Sequence, residues 1–129
     1  TEPSSYSIDQ LRLDKSTVWD GIRNPQALRA VRQMKPGDRV FIYHTGGESA
    51  IVGLAKVLSE ARPDPNEPKS AIVEVGYLTH LVPPTSLAEI KSSHLFDDWS
   101  LVRQGRLSTM AVPVEFVEWM RKRYPDSKV

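Results

Sequence analysis

A tryptophan, an arginine and a helix-capping asparagine fall close together in Val18-Trp19-Asp20-Gly21-Ile22-Arg23-Asn24-Pro25. An indole at a strand end beside a helix N-terminus is a stacking platform. The N-terminus and Arg23 offer donors to a phosphate or a base edge. The same residue types also suit a core tryptophan with an arginine tying down a loop, since tryptophan is highly buried on average. Phe41-Ile42-Tyr43-His44-Thr45 ends in groups that stack or hydrogen-bond. His44 there suits a base, a ligand or a donor, and equally a structural role. Leu101-Val102-Arg103-Gln104-Gly105-Arg106-Leu107-Ser108 combines two arginines, an amide and a flexible glycine. Such a loop clamps a phosphate or presents an amide to a base. It also fits a polar turn between strands. Arg121-Lys122-Arg123 complements the dipole of a terminal helix.

Catalytic signatures are missing. The chain has no Gly-x-Ser-x-Gly, no glycine-rich phosphate loop before a lysine and no convincing acid pair, which favours binding over catalysis. Cysteine is absent and the three histidines have no ligand spacing, so neither a disulfide, a metal site nor a cofactor is expected. No apolar run approaches the ~18–20 residues of a membrane span. A cytoplasmic monomer without a membrane partner is the default expectation. Seventeen Lys and Arg against sixteen Asp and Glu leave a net charge of +1, which does not read as a generic nucleic-acid binder. The distribution is uneven, however. Arg23, Arg29, Arg32, Lys35 and Arg39 face a single acid, Asp38, in their stretch, and Arg103 and Arg106 stand with none between Leu101 and Val112.

The elements that must position these groups follow from patterning. Ser7-Ile8-Asp9-Gln10 and Ser86-Leu87-Ala88-Glu89 are capping boxes that each predict a short helix. Asn24-Pro25 opens another, with Ala27, Ala30, Val31 and Met34 on one face. Arg39–His44 reads as a strand with Val40 and Ile42 on one side and Phe41 and Tyr43 on the other. Thr45-Gly46-Gly47-Glu48 reads as a hairpin loop, and the strand from Ile51 to Leu58 as a central one. A long β-rich run from Ala71 to Val82 carries Gly76, a bend signal, and Pro83-Pro84 should end it. Residues 61–68, with three prolines, read as a surface loop. Val102 and Ser108–Val112 are candidate strand pieces, and Asp97-Asp98-Trp99 a helix end. Pro113 opens the last helix, with Val114, Val117, Trp119, Met120 and Tyr124 as its apolar positions. The sum is a compact α+β domain, with helices covering the openings or one flank of a small curved sheet.

These residues carry a family resemblance. Thr1-Glu2-Pro3, Tyr6-Ser7-Ile8-Asp9, Val18-Trp19-Asp20-Gly21-Ile22-Arg23-Asn24, Met34-Lys35-Pro36-Gly37-Asp38, Tyr43-His44-Thr45, Ile51-Val52-Gly53 and Arg103-Gln104-Gly105-Arg106-Leu107-Ser108 occur in order. Together they resemble the EVE domain, one of the PUA-like barrels and related to the YTH readers of methylated adenine. The resemblance implies a PUA-like curved mixed β-sheet or barrel flanked by short helices, and a pocket for a modified or flipped base of DNA or RNA. It implies Trp19 as a pocket wall, with Asp20, Asn24, Tyr43, His44, Thr45 and Gln104 around it. Arg23, Arg103, Arg106 and Ser108 would make the rim or meet the backbone. The alternative it leaves open is an RNA-processing or nucleoside-directed enzyme using His44 and Asp20 as an acid–base pair. Two departures bear on the expectation. The family's first strand precedes its Glu-Pro pair, so residues 1–129 are expected to be a single domain lacking that strand. Pro25 stands where the family often has an aromatic, which removes one stacking surface.

Overall fold

The computed structural model describes residues 6–20, 22–45, 49–104, 109–127 and 129. Ser7 starts the first helix, α1 (Ile8–Asp14), by accepting the Gln10 N–H at 3.0 Å. Only half of that capping box forms, because the Gln10 side chain donates to Asp14 at 2.8 Å instead of reaching back. After β1 (Ser16–Trp19), Asn24 Oδ1 caps α2 (Pro25–Arg32) by accepting from the Gln26 and Ala27 N–H groups at 2.8 and 3.3 Å. The strands β2 (Arg39–His44) and β3 (Ala50–Val57) then pair antiparallel, with Gly46–Glu48 of their connection outside the described residues. The proline-rich stretch is not only loop: Arg62–Asp64 forms β4 and pairs with the start of β5 (Glu67–Ser86). The Ser86–Glu89 box is complete at the head of α3 (Leu87–Ser93). Two further helices follow, α4 (Ser100–Arg103) and α5 (Val114–Arg123).

Every strand pairing among the described residues is antiparallel, in the order β1-β5-β3-β2 with β4 on β5. The long β5 therefore serves three partners. Two irregularities in its pairing with β3 bend it, one opposite Leu54/Ala55 and one opposite Ile51/Gly53. The first lies just past Gly76, the expected bend. Gly76 itself leaves room for Leu58, whose Cδ1 lies 3.0 Å from where a Cβ would stand. The second absorbs Pro83 and Pro84, so the strand runs through them to Ser86 instead of ending there. A proline is tolerated at a bulge, where no ladder N–H is needed.

Two apolar clusters flank the bent sheet. One joins Ile8 and Leu11 of α1 and Ala27, Leu28 and Val31 of α2 to Ile42, Val73 and Val75. The other joins Ile90, Leu101, Phe116 and Met120 to Ile51, Leu54 and Leu81. The helices thus cover both faces, not one flank. Val40 and Ile42 join the first cluster and Phe41 and Tyr43 the second, as alternation predicts. Close approach of α1 needs Gly53: a Cβ there would lie 2.0 Å from Ile8 Cδ1 and 2.6 Å from the Thr79 carbonyl. Two strand expectations fail near the C-terminus. Val102 lies in α4, and Asp97-Asp98-Trp99 leads into that helix, with Trp99 at its N-cap. Residues 109–112 form no strand, and Ser108 lies outside the described residues. Buried Phe116, absent from the expected apolar set, is the hub of the second cluster.

Candidate nucleic-acid interface

The sheet curls but does not close, and a cleft of about 440 Å³ lies where its two ends face each other. Trp19 from β1 and Arg39 to Tyr43 from β2 both line it, with Val73 and Val75 of β5 between. The end of α2 contributes Ala30, followed by Gln33 and Met34. Trp99, Leu101 and residues 109–112 supply the opposite wall. Such a volume falls in the range of small-molecule pockets, ~300–1,000 Å³. The wall is apolar and aromatic with a few polar groups, the composition that grips a flat heterocycle.

Trp19 combines both readings of its sequence. It is half-buried against the first cluster and also lines the cleft. Pairing with Val73 fixes its backbone. Trp99 is held more tightly: its Nε1 donates to the Ala111 carbonyl at 2.9 Å and its ring lies 4.5 Å from Phe116. Tyr43 also lines the cleft. The other expected pocket residues are not among its lining. Asp20 is exposed and Thr45 is half-buried beyond the end of β2. Asn24 spends its side-chain oxygen on the α2 cap. Gln104 is exposed at the end of α4.

His44 has a different task. Its Nε2 accepts the Ile8 N–H at 3.0 Å, satisfying one of the orphan donors of α1. No hydrogen bond or ion pair joins it to Asp20 among the described residues. Burial pushes the His44 imidazole below the ordinary 6.5, nearby His80 adds to the drop and Asp9 opposes it. Protonated Nε2 cannot accept, so the neutral form is the folded partner. A folded value below the unfolded one means that the unfolded chain binds more protons in this window. The stabilisation is therefore complete above pH ~6.5 and lost as pH falls through the lowered folded value. Thermal melts between pH 7.5 and 5 should show wild type losing more stability than His44→Gln, whose amide oxygen accepts without titrating. Parallel profiles would remove His44 from this role.

The two basic stretches meet in space. Gln26 Nε2 donates to Ser100 Oγ at 3.3 Å, which sets the start of α2 beside α4. Arg23 precedes that start and is exposed. Arg103 follows Ser100, donating from Nε to the Asp97 carbonyl at 3.1 Å and pairing with Asp98 at 3.2 Å. An exposed pair of this kind contributes little, so a phosphate can compete for the guanidinium. Arg106 and Ser108 lie outside the described residues. Sequence reasoning missed Gln33, Asp38, Arg39, Trp99 and Thr109 as cleft residues. Of these, only Arg39 and Trp99 carried a signal, by residue type and by nearness to the basic stretches.

Comparisons with known proteins agree with this fold. Human thymocyte nuclear protein 1 is 34% identical over 69% of this chain and 48% of its own length, so the chain spans about half the length of the curated relatives it matches. A Rhodopseudomonas palustris protein solved by NMR superposes with a TM-score of 0.87 at 33% identity, covering 95% of this chain and 87% of that one. The crystal structure of human THYN1 protein in complex with 5-methylcytosine-containing DNA superposes with a TM-score of 0.82 at 28% identity, covering 92% of this chain and 85% of that one. The open, helix-flanked sheet is that of the PUA-like fold. The EVE domain model matches residues 1–123, and by that match the chain belongs to the EVE domain family.

Proposed function

We propose that this chain is a binding module for nucleic acid carrying a modified base, which leaves the helical stack and lies in the cleft against Trp19. The observation that carries this reading is the aromatic-walled cleft between the two ends of the sheet, with Trp19 and Tyr43 on its lining. The complex of a related protein with 5-methylcytosine-containing DNA supports DNA as the partner. Arg23, Arg39 and Arg103 would meet phosphates around the mouth, with Asp20, Asn24 and Gln104 near the entering strand. Arg106 and Ser108 would extend that rim.

A base held by a pocket needs few phosphate contacts. With three or four arginines engaged, log affinity should fall with log salt at a slope on the order of −2 to −4. The test is a titration of a short single strand with one central 5-methylcytosine against its unmodified DNA and RNA counterparts, at several salt concentrations. Tighter binding of the modified strand with a shallow slope is expected. A slope near −8 without base preference would mean a broad electrostatic surface instead.

A further inference from the structure

A base lying against an indole is held by its face, and its identity is read along its edge. Three exposed polar residues line the cleft: Gln33, Asp38 and Arg39, all at the junction of α2 and β2. Their hydrogen-bonding capacities differ. An amide donates and accepts, a guanidinium only donates, and an ionised carboxylate only accepts. Asp38 is the one carboxylate among the described lining residues. It is also held in place. Its N–H donates to the Lys35 carbonyl at 3.0 Å. Its carbonyl accepts, at 2.8 Å, the N–H of Val57, whose strand partner Val75 lines the cleft. Oδ2 accepts the Lys35 N–H at 2.9 Å. Oδ1 has no hydrogen-bond partner among the described residues. The backbone and one carboxylate oxygen are thus committed to the turn and the sheet, and Oδ1 is the polar atom that Asp38 offers to a ligand.

We propose that Asp38 is a specificity-determining residue of this cleft, its Oδ1 accepting a hydrogen bond from the exocyclic amine of a cytosine-type base. The inference rests on the base-binding reading above. Cytosine carries an amine donor at C4, the group that a carboxylate pairs with. Thymine has the same ring size and the same methyl as 5-methylcytosine, but a carbonyl at C4. It would set two acceptors against each other, since a carboxylate has no proton to donate. Stacking on Trp19 does not sense this difference, because every base has a π-face. A site built to hydrogen-bond a substrate group rejects the analogue lacking it far better than an apolar wall does. The Lys35 N–H sets the carboxylate before a base arrives, so little side-chain freedom is lost on binding.

The test measures the affinities of wild type, Asp38→Asn and Trp19→Ala for two short single strands that differ only in a central 5-methylcytosine or thymine. Wild type should prefer the 5-methylcytosine strand by about tenfold or more. Asp38→Asn is nearly isosteric. Its amide oxygen still accepts the Lys35 N–H, which leaves the NH2 group for the cleft, and its melting temperature should stay within about 4 °C of wild type. Its preference should fall to about threefold or less, through weaker binding of the 5-methylcytosine strand and equal or tighter binding of the thymine strand. The inference is overturned if wild type binds both strands alike while Trp19→Ala loses binding. It is also overturned if Asp38→Asn keeps the wild-type preference. If wild type and Trp19→Ala bind the 5-methylcytosine strand alike, the base-binding reading fails, and the inference with it.

Discussion

Trp19→Ala should lose the preference for a modified base, with affinity for the 5-methylcytosine single strand falling about 5- to 150-fold. That range is one base–aromatic stack, ~1–3 kcal/mol, converted at tenfold per ~1.4 kcal/mol. Trp19 can provide it because its backbone is fixed by pairing with Val73 and its ring is packed against the first cluster, so little side-chain freedom is lost on binding. Extruding a paired base costs a few kcal/mol. One stack roughly cancels that cost, so single-stranded or damaged sites should bind better than intact duplex. Because Trp19 also packs, the alanine variant is compared with Trp19→Phe, which keeps an aromatic face and should retain most of the affinity. A folded Trp19→Ala protein that still prefers the modified strand would show that the base lies elsewhere.

Phe116→Ala should be the most destabilising of the substitutions considered, by about 3–5 kcal/mol, lowering the melting temperature by roughly 10–20 °C. Phe116 is fully buried and its ring meets those of Phe41, Phe96, Trp99 and Trp119 at 5.6, 5.0, 4.5 and 5.7 Å. Truncation leaves a cavity bounded by four rings that cannot all collapse inward. Because Trp99 rests on Phe116 and lines the cleft, the variant should also bind the modified strand more weakly, although Phe116 is not a lining residue. Val114→Ala on the same helix, at a position 69% exposed, should stay within about 0.5 kcal/mol of wild type. Differential scanning calorimetry distinguishes the two. A loss below ~1 kcal/mol for Phe116→Ala would refute its place at the centre of the second cluster.

What the sequence made legible was mostly local. The cap residues Ser7, Asn24 and Ser86 start helices where their side chains predict, because a cap depends on neighbours two or three residues away. Alternation sorted Val40 and Ile42 from Phe41 and Tyr43 for the same reason. Phe116 was less visible, because apolar residues are spread around α5 and periodicity alone does not select the face that meets Phe96 and Trp99. The passage of β5 through Pro83-Pro84 was hidden too, since it depends on an irregular pairing with distant β3.

The site shows the same division. Trp19 and Tyr43 stood out by residue type, and both line the cleft. His44 was equally conspicuous, yet its nitrogen is committed to the Ile8 N–H, a contact 36 residues away along the chain. A single extra methyl on a base adds only ~0.8 kcal/mol on burial, about fourfold. Hydrogen bonds to a base's polar edge discriminate one base from another, not cytosine from its 5-methyl form, so selectivity for that methyl should be modest.

The three tryptophans provide the most direct test of the central claim, that a modified base occupies the cleft. Trp19 and Trp99 line it and Trp119 does not. In a nitrogen-15-labelled sample titrated with the 5-methylcytosine single strand, the indole N–H resonances of Trp19 and Trp99 should shift and that of Trp119 should hold still. The shifts should be much smaller at equal saturation with an abasic strand. Unmoved Trp19 and Trp99 resonances at saturating DNA, with changes confined to the exposed arginines, would contradict the account.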